Sequence, residues 1–175
     1  AFIGSTVSGH LDIPATVFDG KDVTFTVTVL GSNTGAESGT CPNVTSVTLP
    51  NTITSIYRYF LIGSSVTSLH LPSSVSAISQ SINYSAAEGL ATFTVADDNP
   101  YFESQDGIIY TKGMKTIVLC PRNKTFTDGI FTIPDGVETM NNNCFGYNEN
   151  LKKLVIPASV ETYPSTGSYS FIRNC

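Results

Sequence analysis

Three stretches of the chain share one pattern: Val44-Thr45-Ser46-Val47-Thr48-Leu49-Pro50, Val66-Thr67-Ser68-Leu69-His70-Leu71-Pro72 and Leu151-Lys152-Lys153-Leu154-Val155-Ile156-Pro157. Apolar residues hold the first, fourth and sixth positions, and proline closes each copy. A seven-residue segment cannot bury its own apolar face, so the copies must stack, each giving one short strand to a shared parallel sheet. Aligning Pro50, Pro72, Ala96, Pro134 and Pro157 extends the register to five units. One residue before these anchors stand Leu49, Leu71, Val95, Ile133 and Ile156, and three before them Val47, Leu69, Phe93, Phe131 and Leu154. Side chains alternate across a strand, so the two columns share a face and are expected to form continuous ladders inside the coil.

A second pair of apolar positions follows each regular anchor: Ile53 and Ile56, Val75 and Ile78, Val137 and Met140, Val160 and Tyr163. These must enter the core from the opposite wall, so each unit of about 23 residues closes one turn of a solenoid. Phe60 and Phe145 are placed to plug the far corner. Proline just after the last inward residue ends the strand, because it donates no ladder hydrogen bond and its φ is fixed.

Residues 1–40 are read as an N-terminal cap and irregular first coil, and 41–175 as the repeat array. The first part holds a worn unit, Leu11-Asp12-Ile13-Pro14, then Val23, Phe25, Val27 and Val29 alternating with threonines. That alternation predicts a strand with one buried face. The anchors are 22, 24, 38 and 23 residues apart, so the third interval is about 15 too long. Turn residues at Gln105-Asp106-Gly107 and Lys112-Gly113 separate Ile108-Ile109-Tyr110 from Thr116-Ile117-Val118-Leu119. An insertion at about 97–126 is therefore expected, with a β-hairpin at roughly 101–121 projecting from the coil.

These residues carry a family resemblance. The first-fourth-sixth spacing is that of leucine-rich repeats. The run Cys41-Pro42-Asn43-Val44 through Ile56 is similar to the unit of BspA-like leucine-rich repeat proteins, and Asp98-Asn99-Pro100-Tyr101-Phe102, Asp106-Gly107-Ile108-Ile109-Tyr110, Cys120-Pro121 and Ile133-Pro134-Asp135-Gly136-Val137 resemble that family's hairpin insertion. The likeness covers about residues 11–175. Ala96 stands in place of the anchor proline, the segments after Ile56 and Ile78 lack the family's Ala-Phe plug, and Tyr163–Gly167 departs from its turn. The implied fold is mainly β: a leucine-rich repeat solenoid with a stacked parallel sheet, an N-terminal cap and one inserted β-hairpin. The implied function is adhesion to extracellular matrix or cell-surface proteins, without enzymatic activity.

Composition narrows the partners. With 41% hydrophobic and only 13% charged residues the chain folds, and a net charge of -5 offers no basic stripe for nucleic acid or anionic membranes. No run of about 18 apolar residues is present, so membrane insertion by this segment is not expected. Nor does Ala1-Phe2-Ile3-Gly4 resemble a signal peptide, as in a trimmed ectodomain or an excised piece of a longer protein. Serine and threonine make up about a quarter of the chain, which favours an extracellular or cell-surface location. The sequons at Asn43, Asn83 and Asn123 are about as many as chance supplies. Cys41, Cys120, Cys144 and Cys175 form no C-x-x-C pair, which leaves buried thiols or a Cys120–Cys144 bridge open. Cys175 falls where Cys41 opens its coil, as if another unit began there.

The outward positions of the repeat strands are the candidate ligand-binding face: Ser46, Ser68, Thr92, Ile130 and Lys153 in one column, Thr48, His70, Thr94, Thr132 and Val155 in the next. Extended sheets of this kind sum many small contacts along an array, although the same residues also suit a merely solvated face. His70 has no acidic partner in neighbouring units and His10 lies far off in the cap, so no catalytic residue is assigned. Asp97 and Asp98 lack calcium-loop spacing, and no metal or cofactor is assigned. The expected partner is an extracellular or cell-surface protein. The alternative is a structural segment that spaces or oligomerises domains of a longer protein, for which self-association through the open ends would serve.

Overall fold

Each anchor segment forms the strand that its alternation predicts, and each anchor is followed by the same turn. The N–H three residues after the anchor donates to the anchor carbonyl from Ile53 to Pro50, Val75 to Pro72, Asn99 to Ala96, Val137 to Pro134 and Val160 to Pro157, at 2.9–3.3 Å. Ala96 makes the turn as well as proline does, because the anchor contributes only its carbonyl. The computed structural model describes residues 7–32, 40–80, 82 and 87–163.

The chain winds between two walls. The front wall carries β1 (Ser8–Asp12), β5 (Asn43–Thr48), β7 (Ser68–Leu71), β9 (Thr92–Val95), β13 (Ile130–Thr132) and β15 (Lys153–Val155), paired in parallel as β1–β5, β7–β9 and β13–β15. The back wall carries β4 (Val29–Leu30), β6 (Ser55–Ile56) and β8 (Ala77–Ile78) in one parallel sheet, and β12 (Thr116–Leu119) beside β14 (Thr139–Met140) in another. Two antiparallel hairpins interrupt the winding: β2 (Thr16–Phe18) with β3 (Thr24–Thr26), and β10 (Phe102–Gln105) with β11 (Ile108–Thr111). No helix among the described residues is long and apolar enough to cross a membrane.

Between the walls the core is almost entirely apolar. Ile53, Ile56, Val66, Leu69, Leu71, Val75 and Phe93 are all fully buried. Burying a side chain of this size contributes about 1.5–3 kcal/mol, so stacking like over like is what holds the coils together.

The structure departs from the sequence reading in four places. The inward column is not continuous: Leu49, Leu71 and Val95 belong to one core cluster, Ile133 to a second, and Ile156 is 44% exposed. The cause is the inserted segment, which closes against β9 through Phe93 N–H to Gly107 O at 3.0 Å and Val95 N–H to Ser104 Oγ at 3.2 Å. That contact takes the edge on which the next coil would otherwise have paired.

The insertion does not project. Ile108, Ile109, Tyr110, Ile117, Val118 and Leu119 are buried, because both faces of these strands are apolar and need cover. It is a three-stranded meander whose last strand, β12, joins the back wall and pairs in parallel with β14.

The Val23–Val29 alternation lacks its buried face. Val23, Phe25 and Val29 are exposed, and Val27 alone packs on the core. A two-stranded hairpin has no second layer to bury against, and the inward phase is taken over by Leu30, which lies beside Ile56. At the other end Leu154 and Val160 are half-buried and Tyr163 is exposed, since no described coil stacks on β15. Cys41, Cys120 and Cys144 are buried, and burial pushes the Cys41 thiol up. Cys175, Asn83 and the Ser165–Gly167 turn lie outside the described residues.

Candidate functional site

The front face is set by strand alternation. With Leu69, Leu71, Phe93 and Val95 inward, Ser68, His70, Thr92 and Thr94 must point outward, and the ladder pairs Ser68 with Thr92 and His70 with Thr94. The second block pairs Ile130 with Lys153 and Thr132 with Val155. Ser46, Thr48, Ser68, His70, Thr94, Ile130, Thr132, Lys153 and Val155 are exposed, whereas Thr92 is half-buried because the backbone at Gly107 lies against it. The columns therefore do not run unbroken from Thr94 to Thr132: the meander separates a hydroxyl-rich block from one carrying Ile130, Val155 and Lys153.

Sequence reasoning left His10 far off in the cap, and the structure brings it onto this face. β1 pairs with β5 so that His10 lies beside Ser46 and Asp12 beside Thr48, past a bulge between Gly9 and His10. His10 Nδ1 lies 2.7 Å from Ser46 Oγ, and Nε2 lies 3.0 Å from Asp12 Oδ1 and 2.9 Å from Thr48 Oγ1. The signal was available: counted back from Pro14, His10 holds the place that Ser46 holds before Pro50.

Serine, imidazole and carboxylate thus form the hydrogen-bond order of a catalytic triad, yet the Asp12 side chain is 78% exposed. A solvated carboxylate shared with a competing hydroxyl neither fixes the imidazole tautomer nor stabilises an imidazolium as a buried one does. The arrangement is a polar network that locks two coils together. His70 makes a smaller version of it, with Nδ1 at 2.9 Å from Thr94 Oγ1.

The residues of the insertion separate by burial. Of the insertion's aromatics only Tyr101 is exposed, while Phe102 and Tyr110 are core residues. Asp97 and Asp98 are exposed turn residues. Asp97 edges a polar hollow of about 200 Å³ lined also by Glu103, Ser104 and Lys112, where Lys112 Nζ donates to the Asp97 carbonyl at 3.1 Å.

Comparison with known proteins agrees with this architecture. The family described as BspA type leucine rich repeat region matches in six copies, over residues 39–132 and 125–175. The first coil, with His10, lies outside that match. Among solved structures the fold is similar to a leucine rich cell surface protein from Faecalibacterium prausnitzii, with 24% identity, a TM-score of 0.61, and 88% of this chain covering 37% of that one. It is also similar to a leucine-rich repeat protein from Eubacterium ventriosum, with 26% identity, a TM-score of 0.63, and 87% of this chain covering 42% of that one. The chain thus spans about two fifths of the length of each of these structures. No curated protein matches it.

Proposed function

The chain belongs to the BspA-type leucine-rich repeat family, and from that premise we propose that it is a non-enzymatic recognition module of the cell surface or extracellular space, whose front sheet binds an extracellular or cell-surface protein in adhesion. The observation that carries the reading is the exposed polar array of β1, β5, β7 and β9, in which Ser46, Thr48, Ser68, His70 and Thr94 stand over a rigid buried core. A preorganised surface loses little side-chain freedom on binding, so many weak contacts are enough. The exported placement rests on the hydroxyl-rich, charge-poor composition, and agrees with the surface placement described for the F. prausnitzii protein.

A second reading, end-to-end assembly, is favoured by the apolar side chains at the last described coil, Ile156 at 44% and Tyr163 at 57% exposure. The two separate by experiment. Recognition predicts that the protein binds immobilised matrix or cell-surface protein and that Thr94→Glu removes binding without lowering the melting temperature. Assembly predicts no binding to those ligands, and a sedimentation coefficient that rises with concentration and falls back on Ile156→Lys.

A further inference from the structure

Cys120 and Cys144 meet where the last strand of the meander joins the back wall. The Cys120 N–H donates to the Cys144 carbonyl at 2.7 Å, and both residues are fully buried in the same core cluster. From this juxtaposition we infer that in oxidising surroundings the two thiols close into a disulfide, which fastens the end of β12 to the turn after β14.

The backbone sets the distance. Standard bond lengths and angles on either side of that 2.7 Å hydrogen bond keep the two Cα atoms within about 6.6 Å, inside the range of about 4.4–6.8 Å that disulfides span. The two side chains also share their surroundings. Both pack in the cluster that holds Tyr110, Ile117 and Phe145, and a charge on either thiol opposes ionisation of the Tyr110 hydroxyl. The turn is pinned on its far side as well, where Asn148 Nδ2 donates to Pro121 O at 2.9 Å and lies 3.8 Å from Cys120 Sγ. Closing the bridge therefore turns side chains and leaves the backbone in place. Cys41 does not compete, because it belongs to the other core cluster, with its thiol 3.6 Å from the Ile62 carbonyl oxygen.

The oxidant is a small disulfide such as oxidised glutathione. One cysteine thiolate attacks it, forming a mixed disulfide and releasing one small thiolate, and the second cysteine thiolate then displaces the other. The two cysteines lose two electrons and two protons in all, and the small disulfide becomes two thiols. With both residues 0% exposed, the exchange takes place before the core closes or while it is open. The same packing then shields the finished bridge from reductant. Oxidising surroundings are those of the exported placement proposed above, and the front face takes no part.

The test refolds the purified chain in a mixture of oxidised and reduced glutathione, beside a sample kept in reductant, and maps the unreduced peptides by mass spectrometry. One intramolecular bridge from Cys120 to Cys144 is expected, with Cys41 still alkylated as a thiol. The oxidised form should melt about 5–10 °C above the reduced one, as befits a cross-link between residues 24 positions apart. Cys144→Ala should abolish that difference; if the variant does not fold, the peptide map of the unaltered protein still decides. A folded protein that keeps both thiols in the oxidising buffer, a bridge from either residue to Cys41 or Cys175, or an oxidised form that melts no higher would each overturn the inference. No ligand enters these measurements, so failure of the adhesion reading and failure of the bridge are seen separately.

Discussion

Asn99 and Asn148 make the same set of hydrogen bonds 49 residues apart. Asn99 Nδ2 donates to the carbonyls of Pro72 and Val75, both at 3.0 Å, and its Oδ1 accepts from the N–H groups of Tyr101 and Phe102, both at 2.8 Å. Asn148 Nδ2 donates to Pro121 O at 2.9 Å and Lys124 O at 3.0 Å, and its Oδ1 accepts from Asn150 and Leu151, both at 3.0 Å. Each is fully buried and closes a proline-led turn of another coil while starting the segment that follows it. Asn99 occupies the position after the anchor where other coils place Ile53, Val75, Val137 and Val160, so a polar rivet replaces an apolar contact where the meander begins.

Removing that rivet should be costly. Asn99→Ala takes away the side-chain partner of the Val75 carbonyl and of the Tyr101 and Phe102 N–H groups, while the Pro72 carbonyl keeps the Val75 N–H, at about 1–3 kcal/mol for each group left unsatisfied. We expect a loss of roughly 3–5 kcal/mol in urea denaturation, and Asn99→Asp to be nearly as damaging because it keeps the acceptor and lacks the donors. A loss under about 1 kcal/mol would show that water or rearrangement replaces the amide.

Tyr110 sets an alkaline limit. Burial first, and then the nearby Cys120, Asp106 and Cys144, raise its hydroxyl well above the usual tyrosine range. A raised acid is held protonated in the fold, so its contribution is intact below the unfolded value of about 10 and is lost as pH rises beyond it. Absorbance at 295 nm should show one of the eight tyrosines ionising only as the protein unfolds, and Tyr110→Phe should remove that late step.

Gly31 is held by space as well as by conformation. At φ +79°, a Cβ there would lie 2.5 Å from the Arg58 carbonyl oxygen and 2.6 Å from that of Tyr57. Gly20, at φ +82°, has nothing within 4 Å. Gly20→Ala should therefore cost only the left-handed strain, about 1–2 kcal/mol, whereas Gly31→Ala must also separate β4 from the next coil. Thermal melts of the two variants should differ by several degrees; equal melts would mean that the backbone relaxes freely.

The two phenylalanines of the first hairpin should matter little to stability. Phe18 and Phe25 are 62% and 54% exposed, against 0% for Phe93. Phe25→Ser is expected to change stability by less than about 1 kcal/mol, and Phe93→Ala to cost about 3–5 kcal/mol. Comparable losses would place Phe25 in a packed layer instead.

The repeating turn and the inward ladders were legible because each depends on few neighbours: a proline or alanine carbonyl, and apolar residues two positions apart. Leu69 and Leu71 beside Phe93 and Val95 follow from the pattern alone. Two features were not legible for one shared reason. The burial of Ile108 and Ile117 and the exposure of Phe25 each depend on which strand lies alongside, and a strand's own residues do not name its neighbour.

From the order of its residues alone the protein had its coil period and the inward phase of its repeat strands settled, since these are local consequences of side-chain alternation and of proline ending a strand. Only tertiary packing decided that the long interval folds into the wall and splits the core between Val95 and Ile133. Packing also made Asn99 a buried fastener rather than a loop residue, and gathered His10, Asp12, Ser46 and Thr48 into one network. Side-chain hydrogen bonds between coils join residues from 21 to 38 positions apart, and their geometry exists only once the coils have stacked.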